Sequence, residues 1–156
     1  MSKVYFSKII SEDRLVDIYK CLNKELKGNV AVKVHSGEEG NQNYLKPQFL
    51  KKIIDYVDGT VVECNTAYEG SRNESKKHKE LINKHGFNMY KFDLLDEFED
   101  IEVEIPDGKV IKKNYLGKNI LKYDSMLVIS HFKGHPMGGY GGALKQLSIG
   151  CASTKG

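Results

Sequence analysis

Three short β-rich runs, set apart by segments of helical periodicity, constrain this chain more than any other feature. Val30-Ala-Val-Lys-Val34, Thr60-Val-Val-Glu-Cys64 and Ser125-Met-Leu-Val-Ile-Ser130 are apolar almost throughout and lack the alternation of a sheet with one wet face. Strands of that kind need cover on both sides. Between the first two lies Pro47 at a first helical turn, and Phe49, Leu50, Ile53, Ile54 and Val57 then recur at helical spacing up to Asp58-Gly59. A strand, a helix and a second strand in that order make a parallel pair joined by a crossover. The expected fold is therefore α/β, a parallel three-layer α/β/α sheet.

Other segments fit around that frame. Ser11, followed by Glu12 and Asp13, reads as a helix N-cap, and Leu15, Ile18, Tyr19, Leu22 and Leu26 extend an amphipathic helix to Gly28. Residues 75–85 read as a charged, exposed helix closed by Gly86. From about Phe92 the rhythm breaks. Ile101-Glu-Val-Glu-Ile105 alternates strictly, Pro106-Asp107-Gly108 is a turn, and Val110-Ile-Lys-Lys-Asn-Tyr115 is a second extended run, so a β-hairpin is expected at the sheet's edge. A short helix is expected over residues 117–122 and a last one over residues 143–149.

The chain has 156 residues, the usual size of one domain, and reads as a single α/β domain over residues 1–156. A net charge of +3, with Lys spread among Asp and Glu, is too weak to be the footprint of a nucleic-acid binder. No run approaches the roughly 18 apolar residues of a membrane span, and the N-terminus has no apolar leader core, so a cytoplasmic protein is expected, with neither nucleic acid nor membrane as partner. Cys21, Cys64 and Cys151 are an odd number without a Cys-x-x-Cys pair, which writes neither a disulfide framework nor a zinc or iron–sulfur site into these residues. Cys64 reads as a small buried hydrophobe and Cys151 as the more ligand-like thiol.

In an open parallel sheet, ligands bind beyond the carboxyl ends of the strands, and each of the three runs delivers a polar loop there. The first loop carries His35, Glu38, Glu39, Asn41, Asn43 and Tyr44. A second carries Asn65, Thr66, Tyr68 and Arg72, and the third His131, Lys133, His135 and, further on, Lys145. His131, His135 and His35 have three readings: hydrogen-bonding loop residues, acid–base groups, or ligands of one metal with Glu38 and Glu39. Lys133 is grouped with them as a catalytic candidate. Gly134, Gly138, Gly139, Gly141 and Gly142 suit either a cradle for a phosphate or carboxylate, with Lys145 supplying charge, or a tight turn. Arg72 is placed either to clamp a carboxylate or to form a helix-start salt bridge, and Asn65 to orient a ligand. A small anionic ligand is the expected partner.

Three blocks of residues then match a known pattern. Val32-Lys-Val-His-Ser-Gly-Glu-Glu-Gly-Asn41 with Tyr44-Leu-Lys-Pro47, Cys64-Asn-Thr-Ala-Tyr-Glu-Gly-Ser-Arg72, and Ser130-His-Phe-Lys-Gly-His135 with the run from Gly141 to Ser153 together resemble the domain-of-unknown-function family 362. That resemblance implies an iron–sulfur-associated redox or metal- and cofactor-dependent enzyme domain; the alternatives are a non-catalytic scaffold or electron-transfer partner domain, or a simple anion- or nucleotide-binding module. Longer members commonly carry a ferredoxin-type [4Fe–4S] module, whose Cys-x-x-Cys-x-x-Cys clusters do not occur here. This chain then reads as the N-terminal part of such an architecture, with the iron–sulfur module as an expected partner. Its fold is expected to be similar to the N-terminal domain of lactate racemase, an α/β enzyme, and no catalytic role is carried over from it.

Overall fold

The computed structural model describes residues 2–136 and 138–156. In chain order the elements are α1 (Glu12–Cys21), β1 (Val30–Lys33), α2 (Pro47–Val57), β2 (Gly59–Glu63), α3 (Ser75–Lys84), β3 (Phe92–Leu94), β4 (Asp100–Glu104), β5 (Lys113–Gly117), β6 (Ser125–Val128), β7 (Gly134–His135), β8 (Gly139–Tyr140) and α4 (Gly142–Ser148). The main sheet has the order β3-β2-β1-β6, and all three of its pairings are parallel. Every strand of the main sheet therefore ends at the same edge.

Strand alternation divides the core in two. Val30, Val32, Val34, Val61, Leu94 and Ile129 face one way and bury against Val16, Leu50, Ile53, Ile54, Ile82 and Phe87, supplied by α1, α2, α3 and the turn after α3. Ala31, Val62, Cys64 and Leu95 face the other way, under Ile120, Tyr123 and Met126. Each fully buried aliphatic side chain contributes about 1.5–3 kcal/mol, so the larger cluster sets the stability. The layered α/β/α expectation holds. Helix α2 starts at Pro47 as expected and stops where Asp58 turns left-handed at φ 46°. For α1, the Ser11 hydroxyl accepts from the Arg14 backbone N–H at 3.2 Å, which caps the first turn.

Several boundaries differ from expectation. Helix α1 ends at Cys21, and Leu26 lies in non-helical chain although it still packs on the core. The sheet has a fourth strand, β3, which is too short and too interrupted by Asp93 to show a period. The hairpin of β4 and β5 forms its own two-stranded sheet instead of extending the main one, and its second arm begins at Lys113 because Val110 and Ile111 are exposed in the turn region. Its link to the sheet runs through Gly117, where a Cβ would stand 2.2 Å from the Leu95 carbonyl carbon and 2.4 Å from the Asp96 nitrogen. Only a residue without a side chain allows that approach. The C-terminal segment is tied down by an antiparallel bridge from Ala152 to Leu116, with the Ser153 N–H donating to the Tyr115 carbonyl at 2.9 Å. No helix among the described residues is long and apolar enough to cross a membrane.

Candidate functional site

The chain leaves β1 in one direction to build β2 and β3, then returns to the other side of β1 to lay down β6. At such a reversal the loops leaving adjacent strands diverge and open a crevice at the carboxyl edge. A cleft of about 330 Å³ lies here. It is lined by His35 and Glu38 after β1, by Asn65, Thr66, Tyr68 and Arg72 after β2, and by His131, Lys133, His135, Gly141, Gly142 and Lys145 after β6. All three loops nominated by sequence thus meet in one cavity. Glu39 is not part of it; its carboxylate bonds Ser71 and Lys84 on the exterior.

Beneath the first two loops is a buried polar network centred on a residue that sequence reasoning missed. Glu63, the last residue of β2, has no exposed surface, and its carboxylate accepts from the Ser36 N–H at 2.8 Å and the Ser36 hydroxyl at 2.7 Å. His78 of α3 places Nε2 at 2.9 Å from the oxygen that takes the Ser36 hydroxyl, and Arg72 approaches the oxygen that takes the Ser36 N–H at 3.5 Å. Burial alone would raise the Glu63 pKa, but the Arg72 charge, with His35, His78 and Lys33, holds it well below the ordinary 4.5. It is a carboxylate kept ionised inside the protein. His35 sits in front of it, with Nδ1 at 3.5 Å from Glu63 and Nε2 at 3.9 Å from Glu38.

Arg72 proves to be an organiser of this network. Its Nε lies 3.2 Å from His78 Nε2, one terminal nitrogen donates to Glu38 at 2.7 Å, and the other lies 3.5 Å from Glu63, so the guanidinium is enclosed by three protein side chains. The expected salt bridge is present, made to Glu38 and Glu63, and it turns Arg72 into a buried strut between two loops. Glu38 also accepts from the Tyr68 hydroxyl at 2.8 Å, and although burial opposes it, Arg72 lowers the carboxyl's pKa. A carboxylate so engaged is a poor general base. Burial, with the same bond, pushes the Tyr68 hydroxyl up to about 12. Asn65 is likewise committed, its Oδ1 3.1 Å from His78 Nδ1 and its Nδ2 donating to Ser75 at 3.0 Å. Thr66 closes its own loop, donating its N–H to the Arg72 carbonyl at 2.9 Å.

On the opposite wall the side chains of Lys133 and Lys145 make no ion pair among the described residues, and His131 is exposed. Gly142 has φ 46°, and a Cβ there would stand 2.2 Å from the Tyr140 hydroxyl, so glycine suits the left-handed entry into α4 and leaves room for the Tyr140 ring. The Gly141 N–H donates to the Lys133 carbonyl at 3.1 Å, which closes the β7–β8 turn and takes that donor away from any cradle. Met137, inside this glycine-rich segment, lies outside the described residues.

Two further lining residues went unread in the sequence. Lys33, the last residue of β1, is only 2 % exposed, and Gln146 of α4 donates to the Lys33 carbonyl at 2.8 Å and to the Ile129 carbonyl at 3.2 Å. A charged residue inside an otherwise apolar, doubly covered strand was the available signal for both Lys33 and Glu63. As for metals, among the described residues no group of three or more His, Cys, Asp or Glu side chains is arranged to hold a metal ion, His131, His135, Glu38 and Glu39 included. The thiols fit an iron–sulfur cluster no better. Cys21 is exposed while Cys64 and Cys151 are buried, and burial pushes both buried thiols up in pKa, away from the thiolate form that a cluster needs. Cys64 is the buried hydrophobe expected; Cys151 is no more available as a ligand.

These features define an α/β protein with a lysine- and histidine-rich cleft at the topological switch point of a parallel sheet. A family model described as Domain of unknown function (DUF362) matches residues 30–156, and the chain belongs to that family. No curated protein and no solved structure matches it.

Proposed function

We propose that this domain binds a small organic anion in the cleft at the strand carboxyl ends and carries the proton-handling part of an enzyme, His35 being its acid–base group. The observation that supports this reading most is the buried, ionised Glu63 behind His35. A carboxylate facing Nδ1 orients an imidazole and leaves Nε2 on the side of Glu38, which also lines the cleft, an arrangement suited to proton transfer. Lys133 and Lys145 would supply attraction for the anion, and His131 and His135, which line the facing wall, would act on the same ligand. The redox or cofactor dependence implied by the family resemblance belongs to this proposal. Any [4Fe–4S] centre would be held by a partner module, since the residues here do not fit one.

Ligand-observed NMR with a panel of 2-hydroxy acids, phosphates and nucleotides tests this, with the His35 Hε1 resonance followed during each titration. At least one anion should bind and move His35. Binding that leaves His35 unmoved, or a cleft silent to every anion, overturns the reading. A second reading, a scaffold or electron-transfer partner domain, draws on the exposed Phe132, Leu144, Leu147 and Ile149 beside the cleft, an apolar surface suited to docking. It predicts the silent cleft.

A further inference from the structure

A lysine buried beside a cavity needs its charge answered, and among the described residues Lys33 has no direct ion-pair partner, only the longer-range field of Glu63. Its ammonium donates to the Val34 carbonyl at 2.8 Å, a neutral partner, and makes no ion pair among the described residues. Ammonium groups removed from water are costly unless paired, and native proteins almost always pair them. The nearby acidic candidates are excluded in turn. Glu63 projects from the opposite face of the sheet and its oxygens are occupied by Ser36, His78 and Arg72. Cys64 and Cys151 border the same region, but burial keeps both thiols protonated, so neither offers a negative charge. What remains open to Lys33 is the cleft it lines.

We infer that Lys33 is the seat of the ligand's oxyanion, a carboxylate or phosphate group, on the inner wall of the cleft. The inference rests on the anion-binding reading above and adds the residue that fixes the anion's position. Lys133 and Lys145 lie nearer solvent and attract; Lys33 is desolvated and therefore discriminates, because a charge-assisted hydrogen bond is strongest where water is excluded. The Gln146 bonds to the Lys33 and Ile129 carbonyls hold the backbone of this seat in place.

The test uses the whole chain with inorganic phosphate and with oxalate, at matched ionic strength in chloride, read by thermal shift. Phosphate and oxalate separate the two sources of oxyanion. The wild type should be stabilised by at least one of them, Lys33→Met should weaken the apparent affinity by about tenfold or more, and Lys33→Arg should restore part of it. Should Lys33→Met fail to fold, the Lys33 Hε and Cε resonances of the wild type answer instead, and must shift with the same apparent Kd. Equal stabilisation of wild type and Lys33→Met, or unmoved Lys33 resonances, overturns the seat while leaving the anion-binding reading intact. A wild type indifferent to both anions removes both. Reductive trapping of glyoxylate on Lys33 would show a neutral, imine-forming amine and also overturn the assignment.

Discussion

Glu63 concentrates more of the domain's polar energetics than any other residue. Its carboxylate is ionised, fully buried and served by Ser36, His78 and Arg72, so removing its charge leaves Arg72 partly unanswered in the interior. Glu63→Gln should destabilise the fold by about 3–5 kcal/mol, read from urea unfolding at neutral pH. The pH dependence follows from the direction of the shift. A folded-state pKa well below 4.5 means that the ionised group stabilises the protein at pH values above 4.5, and that this contribution is lost as the pH falls below 4.5 toward the folded value. Urea midpoints measured from neutral into acid should decline over that window, and the decline should be shallower in Glu63→Gln. An identical acid limb in both proteins would show that other carboxylates control it. At this scale the site was half legible. His35, Tyr68, Lys133 and the rest stood out as polar residues in loops, whereas Glu63, His78 and Lys33 were hidden inside strand and helix patterns whose facing is decided only by tertiary packing.

The elements were read well where one physical signal dominated. Helix α2 has both a proline start and an unbroken apolar stripe, and it appears with the expected ends. Strand β3 has three residues with a polar one at its centre, and its existence depends on Val61, Val62 and Glu63 offering a free edge. No local pattern encodes that. The β4–β5 hairpin alternates clearly, but its docking beside the main sheet through the close approach at Gly117 leaves no periodic trace in the sequence. Gly117→Ala should push the hairpin's second arm off the Leu95 and Asp96 backbone, at a cost of about 1–3 kcal/mol and roughly 2–10 °C in Tm. Calorimetry on the purified variant measures it; an unchanged Tm would mean that the hairpin docks less tightly than this contact requires.

For the molecule as a whole, the sheet order puts β1 between β2 and β6, with buried side chains on both faces and hydrogen-bonded neighbours on both edges. Opening β1 requires opening the core. Amide exchange should therefore be slowest at Val32, Val61 and Val62, near the global unfolding free energy of about 5–15 kcal/mol, and far faster in β7 and β8, two residues each and largely exposed. Native-state hydrogen exchange by NMR would show this ranking directly, and uniform protection across both regions would contradict it. The α/β class was readable because parallel strands covered on both sides leave an unmistakable composition. The spatial order of the strands was not, since it depends on which side of β1 the returning chain chooses.

Under the anion-binding proposal, Gln146 carries a consequence for what this cavity would accept. One amide nitrogen holds two strand-end carbonyls, so the short helix bearing Lys145 is pinned to the rim of the sheet. A wall fastened in this way acts as a gauge of fixed width. Selection among ligands would then proceed by size and by charge at the wall, with little contribution from the helix folding inward over the guest.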